Sequence, residues 1–277
     1  MTATPLLLVD GHHLLYRSWW GFSDKRIMSR DKRRDLTGVF GFLAILRKTH
    51  LEEAPDHEIV VAFDGENAAA SRTVQDPGYK ANRADADHSP IRSLGMVKAG
   101  LDTAGVPWIE LDGHEGDDVI ATLAHHAAAQ GRTVTCYSGD RDLYQLLTDQ
   151  LTVLTPARRR VTSNEVHTRY GVTADQWPDY RALTGDASDN IPGVPGVGPK
   201  SAAALLAGGI HLEQLAASPR LATGRGRAVA DHWDAVLTWR EMIRLQRGVP
   251  VPDNTCVGMA TPAMPRAAAI LEHLDLW

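Results

Sequence analysis

Acidic residues at the ends of apolar runs are the first feature of this chain that could do chemistry. Asp10 closes the run Leu6 to Val9, Asp64 closes Glu58 to Phe63, and Asp140 follows Val134 to Tyr137. Asp is at home in turns, so one such ending is ordinary. Three of them form a pattern. His114-Glu115-Gly116-Asp117-Asp118-Val119 adds three acids within four residues, ahead of a helical run. The helix dipole favours one or two acids there. Three together repel unless a cation sits among them. Gly139-Asp140-Arg141-Asp142 and Thr184-Gly185-Asp186-Ala187-Ser188-Asp189-Asn190 are further acidic segments. Alone, Asp142 reads as a helix N-cap, and 184–190 reads as a surface turn.

Together Asp10, Asp64, Glu115, Asp117, Asp118, Asp140, Asp142, Asp186 and Asp189 make nine carboxylates, with no His or Cys at zinc-ligand spacing. Carboxylate-only ligation suits hard ions such as Mg²⁺ and Mn²⁺. The surplus of acids over the needs of one ion points to two or three ions. Two ions about 4 Å apart form a clamp for phosphodiester hydrolysis.

Two other segments carry donors for phosphate. Gly193-Val194-Pro195-Gly196-Val197-Gly198-Pro199-Lys200-Ser201 has the GxxxxG spacing of an ATP loop, but Pro199 stands where the lysine belongs and no strand precedes it. A glycine-rich turn between two helices fits better. Its backbone N–H groups at Gly193, Gly196, Gly198 and Ser201, with Lys200, would receive a nucleic-acid phosphate without reading sequence. Gly78-Tyr79-Lys80-Ala81-Asn82-Arg83, with Arg72 upstream, offers basic donors; Lys80 and Arg83 at i, i+3 would share a helix face, and Tyr79 would stack on an unpaired base. A solvated basic surface explains the same residues locally. The adjacent pairs His12-His13 and His125-His126 do not face one way and read as structural. Trp19-Trp20 read as core, and Asp85 and Asp87 as solvated.

The elements that must position these groups follow from periodicity. The three apolar runs are β-branched or aromatic-rich and closed by turn residues, as buried parallel strands are. Leu36–Leu51 and Val119–Ala129 have helical spacing between them, so residues 1–172 read as an α/β domain with a parallel sheet. Ligands bind beyond the carboxyl ends of such strands, so Asp10, Asp64 and Asp140 should converge. An irregular insert near 66–95 is long enough to be functional. From 173 to 277 the pattern is helical: Ala174–Leu183, Lys200–Leu206 and a long helix near 227–245, then a proline-rich tail from Val249 to Pro265. Asn164–Tyr170 is a further helix.

The 277-residue chain carries 29 basic and 34 acidic residues, net −5. That balance argues against nucleic acid, yet with nine acids set aside for metal the remainder is positive. No apolar run reaches the ~18 residues that span a bilayer, the start lacks a basic leader, and Cys136 and Cys256 suggest no disulfide framework. The expectation is a cytoplasmic monomer, nucleoid-associated, with no membrane contact.

The ordered set VDGHHLLYR, VVAFDG, GYKANR, GHEGDD, GDRDLYQLL and YRALTGDASDNIPGVPGVGPKSA resembles the 5′-nuclease, or flap endonuclease, family, in particular the 5′-nuclease domain of bacterial DNA polymerase I in a stand-alone form. The resemblance covers nearly the whole chain. It implies a PIN-like parallel sheet core with a helical arch at about 66–95, followed by a helical helix–three-turn–helix region. It implies flap endonuclease and 5′-exonuclease action on DNA with a 5′ flap, gap or 5′ end, with RNA–DNA junctions as further substrates. By position, Asp10, Asp64, Glu115 and Asp117 match a first metal site, and Asp117, Asp118, Asp140, Asp142, Asp186 and Asp189 the others. Lys80 and Arg83 match arch residues on the scissile phosphate. The turn near 193–200 matches a duplex-binding element holding K⁺ through the carbonyls of Leu183, Thr184, Pro192, Val194 and Val197. The 24–34 loop is more basic than the family pattern, and 66–77 is less so. The rivals are a PIN-type ribonuclease, which needs no duplex-gripping turn, and a non-catalytic DNA-binding module, which has no use for every acid.

Overall fold

The computed structural model describes residues 3–22, 24, 26–83, 87–222 and 224–277; Asp85 lies outside the described residues. The chain forms two compact units that interleave along the sequence. One comprises Met1–Ala68, Asp87–Gly139 and Arg247–Trp277, the other Ala69–Ala86 and Asp140–Gln246. Among the described residues no helix is long and apolar enough to cross a membrane.

The first unit is built on four parallel strands, β1 (Leu6–Asp10), β2 (Glu58–Asp64), β3 (Trp108–Leu111) and β4 (Val134–Tyr137), in the order β3-β2-β1-β4. Leu8 stands opposite Val60 on one side and Cys136 on the other. Leu6 to Val9 and Ile59 to Val61 are wholly buried. A parallel sheet is covered on both faces, so its strands read as unbroken apolar runs rather than alternating ones. Each such side chain contributes about 1.5–3 kcal/mol relative to exposure. Helices Gly11–Gly21 and Gly116–Ala129 pack on the strands, and Thr37–Glu53 packs on the first helix. β3 has four residues and only one fully covered position, which is too short a signal to stand out in the sequence.

The proline-rich tail closes the other end of this unit. The backbone N–H groups of Val257 and Gly258 donate to the buried Glu58 carboxylate. Arg132 balances that charge, 2.5 Å away. Ile59 N–H donates to Thr261 Oγ1 at 2.8 Å. The tail thus latches onto the start of β2 and ends in a helix, Ala267–His273.

The second unit is mostly helical. A small antiparallel pair, β5 (Leu151–Leu154) and β6 (Arg160–Val161), leads into helix Ser163–Tyr170. Thr162 and Glu165 form a reciprocal capping box at its start, and Gly171 ends it in the left-handed region. Helices Trp177–Thr184 and Pro199–Leu205 flank the glycine-rich turn as expected. The long helix expected near 227–245 is two helices, Gly224–Asp231 and Trp233–Ile243. His232, between them, has its ring Nδ1 2.9 Å from the Ala228 carbonyl, and such side-chain bonding competes with the helical ladder.

Candidate active site

Asp10 and Asp64 sit at the carboxyl ends of neighbouring strands, where the sequence places them. Asp10 is also the N-cap of helix Gly11–Gly21. Its carboxylate accepts the His13 N–H at 2.9 Å and the Ser138 hydroxyl at 2.7 Å. Desolvation raises its pKa, partly countered by His13 and those hydrogen bonds, while the charge of Asp64 adds to the rise. Asp64 accepts the Gly116 N–H at 2.7 Å. A side chain at residue 116 would come within 3.2 Å of that carboxylate, so glycine lets the helix start meet the strand end. Glu115 and Asp118 are buried at that helix start, with half-buried Asp117 in the same first turn. The helix N-terminus favours their charge.

His12 is a group whose role here the sequence did not suggest. Its Nδ1 accepts the Asp64 backbone N–H at 3.0 Å. A nitrogen that accepts carries no proton, so the imidazole approaches the Asp64 carboxylate (3.6 Å) as a neutral ring. It fixes the backbone at the end of β2 and is not a counter-charge. An Asp-Gly-His-His run gives the residues but not this cross-strand bond.

The second unit holds Asp140, Asp142, Asp186 and Asp189. Asp142 lies inside a 3₁₀ turn, Asp142–Leu146, rather than at an N-cap. The capping task falls to Asp140, whose carboxylate accepts the Asp142 N–H at 2.8 Å. Asp142 is buried, and its Oδ1 has no hydrogen-bond partner among the described residues. Its pKa is raised well above the carboxylate range by burial first, then by repulsion from Asp140, Asp186 and Asp189. Burial also acts on Asp186, but hydrogen bonds from Ser188 and Arg181 outweigh it and hold the carboxyl below its usual value. Arg181 forms an ion pair with Asp186. Asp189 is raised by burial, an effect that Lys80 and Arg83 offset in part.

The segment 78–83 lies on this acidic turn. Arg83 Nη2 pairs with Asp189 Oδ1 at 2.7 Å, Tyr79 OH donates to Asp189 Oδ2 at 3.3 Å, and Lys80 N–H donates to the Asp189 carbonyl at 3.0 Å. Asn82 and Asn190 tie the same two stretches through the carbonyls of Ala187 and Gly78. Lys80 therefore takes a left-handed φ of 53°, and the helix that would align it with Arg83 shrinks to the 3₁₀ turn Ala81–Arg83.

Two expected nucleic-acid contacts are placed differently from their surface reading. Tyr79 is 5% exposed, with the Lys80 ammonium 4.9 Å from its ring centroid, so it presents no open face for a base. Arg72 is buried and donates to the carbonyls of Met242 and Arg244. The 66–77 stretch looks poor in cations because its arginine serves the core.

The glycine-rich turn is shaped by backbone packing. Gly185 and Gly193 both have positive φ, and a Cβ on Gly193 would lie 2.4 Å from the Gly185 nitrogen. Val194 N–H donates to the Leu183 carbonyl and Val197 N–H to that of Val194; each carbonyl keeps a second lone pair. Lys200 is exposed beside the start of helix Pro199–Leu205 and Ser201 is half-buried. The Arg225 guanidinium lies against Gly196, a basic group on this turn that sequence spacing does not connect to it.

Among the described residues, no three His, Cys, Asp or Glu side chains stand close enough to hold an ion as they are. Like charges move apart, and in the second unit arginines stand in as counter-ions. The donor set nonetheless fits a hard divalent cation. The acids are oxygen ligands throughout, and the orphaned Asp142 oxygen is a buried acceptor with no partner.

Residues 5–171 match the family model for the 5′-3′ exonuclease N-terminal resolvase-like domain, and residues 172–261 that for the 5′-3′ exonuclease C-terminal SAM fold. The chain belongs to the 5′-3′ exonuclease family. It is thus a member of a nuclease family, with the α/β core and following helical region that its sequence implied. It is 37% identical over 272 residues to a thermostable DNA polymerase I of Thermus aquaticus, matching 98% of this chain and 32% of the polymerase. The chain thus spans about a third of the length of that relative. Its fold is similar to that of bacteriophage T5 5′-exonuclease with bound zinc: TM-score 0.70, 19% identity, 98% of this chain and 99% of that one. The bacteriophage T5 flap endonuclease in complex with DNA and metal ions gives a TM-score of 0.69 at 19% identity, over 86% and 88% of the two chains.

Proposed function

We propose that the protein is a divalent-metal-dependent 5′ nuclease that hydrolyses DNA phosphodiesters at 5′ flaps and 5′ ends, in replication and repair. The observation that carries this reading is the buried, unpartnered oxygen of Asp142 among Asp140, Asp186 and Asp189. A buried carboxyl that three neighbouring carboxylates repel is costly unless a cation neutralises it. A binding protein would gain nothing from that cost. The T5 flap endonuclease, with its DNA and metal ions, is similar in fold and supports the choice of substrate.

Mg²⁺ or Mn²⁺, bound by these acids and by Asp10, Asp64, Glu115, Asp117 and Asp118, would supply activated water and charge neutralisation. The chain's own groups do the positioning. Asp10 and Asp64 are oriented by Ser138, His13, Gly116 and His12. Arg83 is paired with Asp189, a role that a bound cation would take over. Once released, its guanidinium can bond the scissile phosphate, with Lys80 beside it. The turn from Gly193 to Ser201 would grip duplex phosphates without sequence preference, and K⁺ would sit on the carbonyls of Leu183, Thr184, Pro192, Val194 and Val197. RNA–DNA junctions, a monomeric state and a nucleoid location belong to the same proposal.

A 5′-labelled flap duplex and a matched single-stranded RNA, each incubated with Mn²⁺ or EDTA, test it. The flap should be cut only with metal. Cleavage in EDTA, or a preference for the RNA, would overturn the assignment.

A further inference from the structure

The second unit contains a cavity of about 400 Å³ that none of the nine carboxylates lines. Tyr144, Tyr170, Arg159, Arg169, Asn164 and Thr168 are on its wall. The Arg169 guanidinium lies 5.3 Å from the Tyr170 ring centroid. Tyr144 and Tyr170 are 6.5 Å apart, and Trp177 meets the Tyr170 ring edge-on at 4.9 Å. The Tyr170 hydroxyl is buried with no hydrogen-bond partner among the described residues, which is an uncommon and costly state for such a group.

The charge around this cavity is opposite to that of the chain. Arg159 and Arg169, both on its wall, are exposed. Glu165, 3.6 Å from Arg159, is the acid on the cavity wall. The wall is also held in place: the Thr162–Glu165 capping box fixes helix Ser163–Tyr170, and the pairing of Val153 with Val161 fixes β6. An aromatic cluster alone is ordinary core, and an arginine-rich rim alone is ordinary surface. The two combined suit a ligand that joins a flat π system to an anion. A nucleotide does so in one unit, and the volume lies within the usual range for small-ligand sites, about 300–1,000 Å³.

We propose that this cavity binds one nucleotide unit, with the exposed Arg169 swinging off the Tyr170 ring to let the base stack there and the phosphate held between Arg159 and Arg169. Base–aromatic stacking and paired guanidinium contacts each add about tenfold or more to affinity. The proposal rests on the nuclease reading only for its source of nucleotide, which is either a unit of the substrate strand or a released 5′-mononucleotide.

The test titrates the full chain, in EDTA, with deoxyadenosine 5′-monophosphate, inorganic phosphate and deoxyadenosine. The mononucleotide should bind about tenfold more tightly than either fragment. Arg159→Gln with Arg169→Gln should weaken it about tenfold; both side chains are exposed, so the thermal melting point should stay unchanged. Tyr170→Leu should weaken it similarly, without altering phosphate binding. If a 5′-phosphorylated oligonucleotide displaces the mononucleotide, the site takes a strand; if it does not, the site takes released product, and both outcomes support the inference. Equal affinity for phosphate and mononucleotide would overturn it. So would an unchanged affinity in the arginine variant, or tighter binding of a poly-glutamate peptide. Should the flap remain uncut while the mononucleotide binds as described, the nuclease reading fails and the cavity assignment stands. Should the flap be cut and the arginine variant bind normally, the reverse holds.

Discussion

The two units carry their acids in different ways. In the first, Asp10 and Asp64 are anchored by backbone and side-chain donors: His13 N–H, the Ser138 hydroxyl and Gly116 N–H. In the second, Asp186 and Asp189 are held by cations, Arg181 and Arg83, and Asp142 keeps an oxygen with no partner among the described residues. The first set is built into secondary structure, at strand ends and a helix start. The second is borne on turns and balanced by charges that can leave. The lesson is that a strand-end carboxylate is part of the fold whether or not it binds metal, whereas the turn-borne set depends on arginine counter-ions and still leaves Asp142 buried among repelling carboxylates.

Substitutions can break or sharpen this contrast. The largest effect belongs to Asp140→Asn with Asp142→Asn. Cleavage of a flap duplex should fall by about a thousandfold or more, since metal-assisted hydrolysis would lose its ligands, while duplex affinity in EDTA changes by less than about threefold. Normal cutting would remove these two acids from the reaction.

Next comes stability without metal, where the units should respond with opposite signs. Asp142→Asn relieves a buried, repelled charge and should stabilise by about 1–2 kcal/mol. Asp10→Ala removes an N-cap and should destabilise by about 1 kcal/mol. Chemical denaturation in EDTA measures both; equal signs would dissolve the contrast. Arg83→Gln should reduce cleavage by about tenfold to a hundredfold and also lower stability without metal, because it takes the guanidinium away from the buried Asp189 carboxylate.

The smallest effect lies away from both acid sets and serves as a control. Burial first, then Glu58, pushes the Cys256 thiol up to about 11, with Arg132 opposing. A thiol raised in the folded state keeps its full stabilising contribution below the unfolded value of 9.0 and loses it as pH climbs toward 11. Alkylation of Cys256 at pH 8 should therefore be slower than that of a free thiol, and the acid variants should not alter its rate.

Much of the first unit was legible in the sequence because its signals are local. An unbroken apolar run closed by Asp-Gly reads as a parallel strand, and β1 and β2 end at Asp10 and Asp64 accordingly. Three acids before Val119 announce the start of helix Gly116–Ala129. The second unit was less legible because its site forms between segments far apart in sequence. Nothing in Gly-Tyr-Lys-Ala-Asn-Arg reveals that it folds onto 186–190, turning Lys80 left-handed and burying Tyr79. Arg72 looked like a surface donor because its partners, the carbonyls of Met242 and Arg244, lie about 170 residues on. Arg181 and Asp186 are separated by the end of a helix and a turn, a spacing with no periodic signature.

The central claim is that both acid sets bind divalent cations. Titrating the protein with Mn²⁺, and reading the free ion by its electron paramagnetic resonance, tests it most directly. The wild type should bind two or more ions. Asp10→Asn with Asp64→Asn, and Asp140→Asn with Asp142→Asn, should each bind fewer. If either pair left the number and affinity of bound ions unchanged, that unit's acids would have no part in holding metal, and the account would fail for that unit.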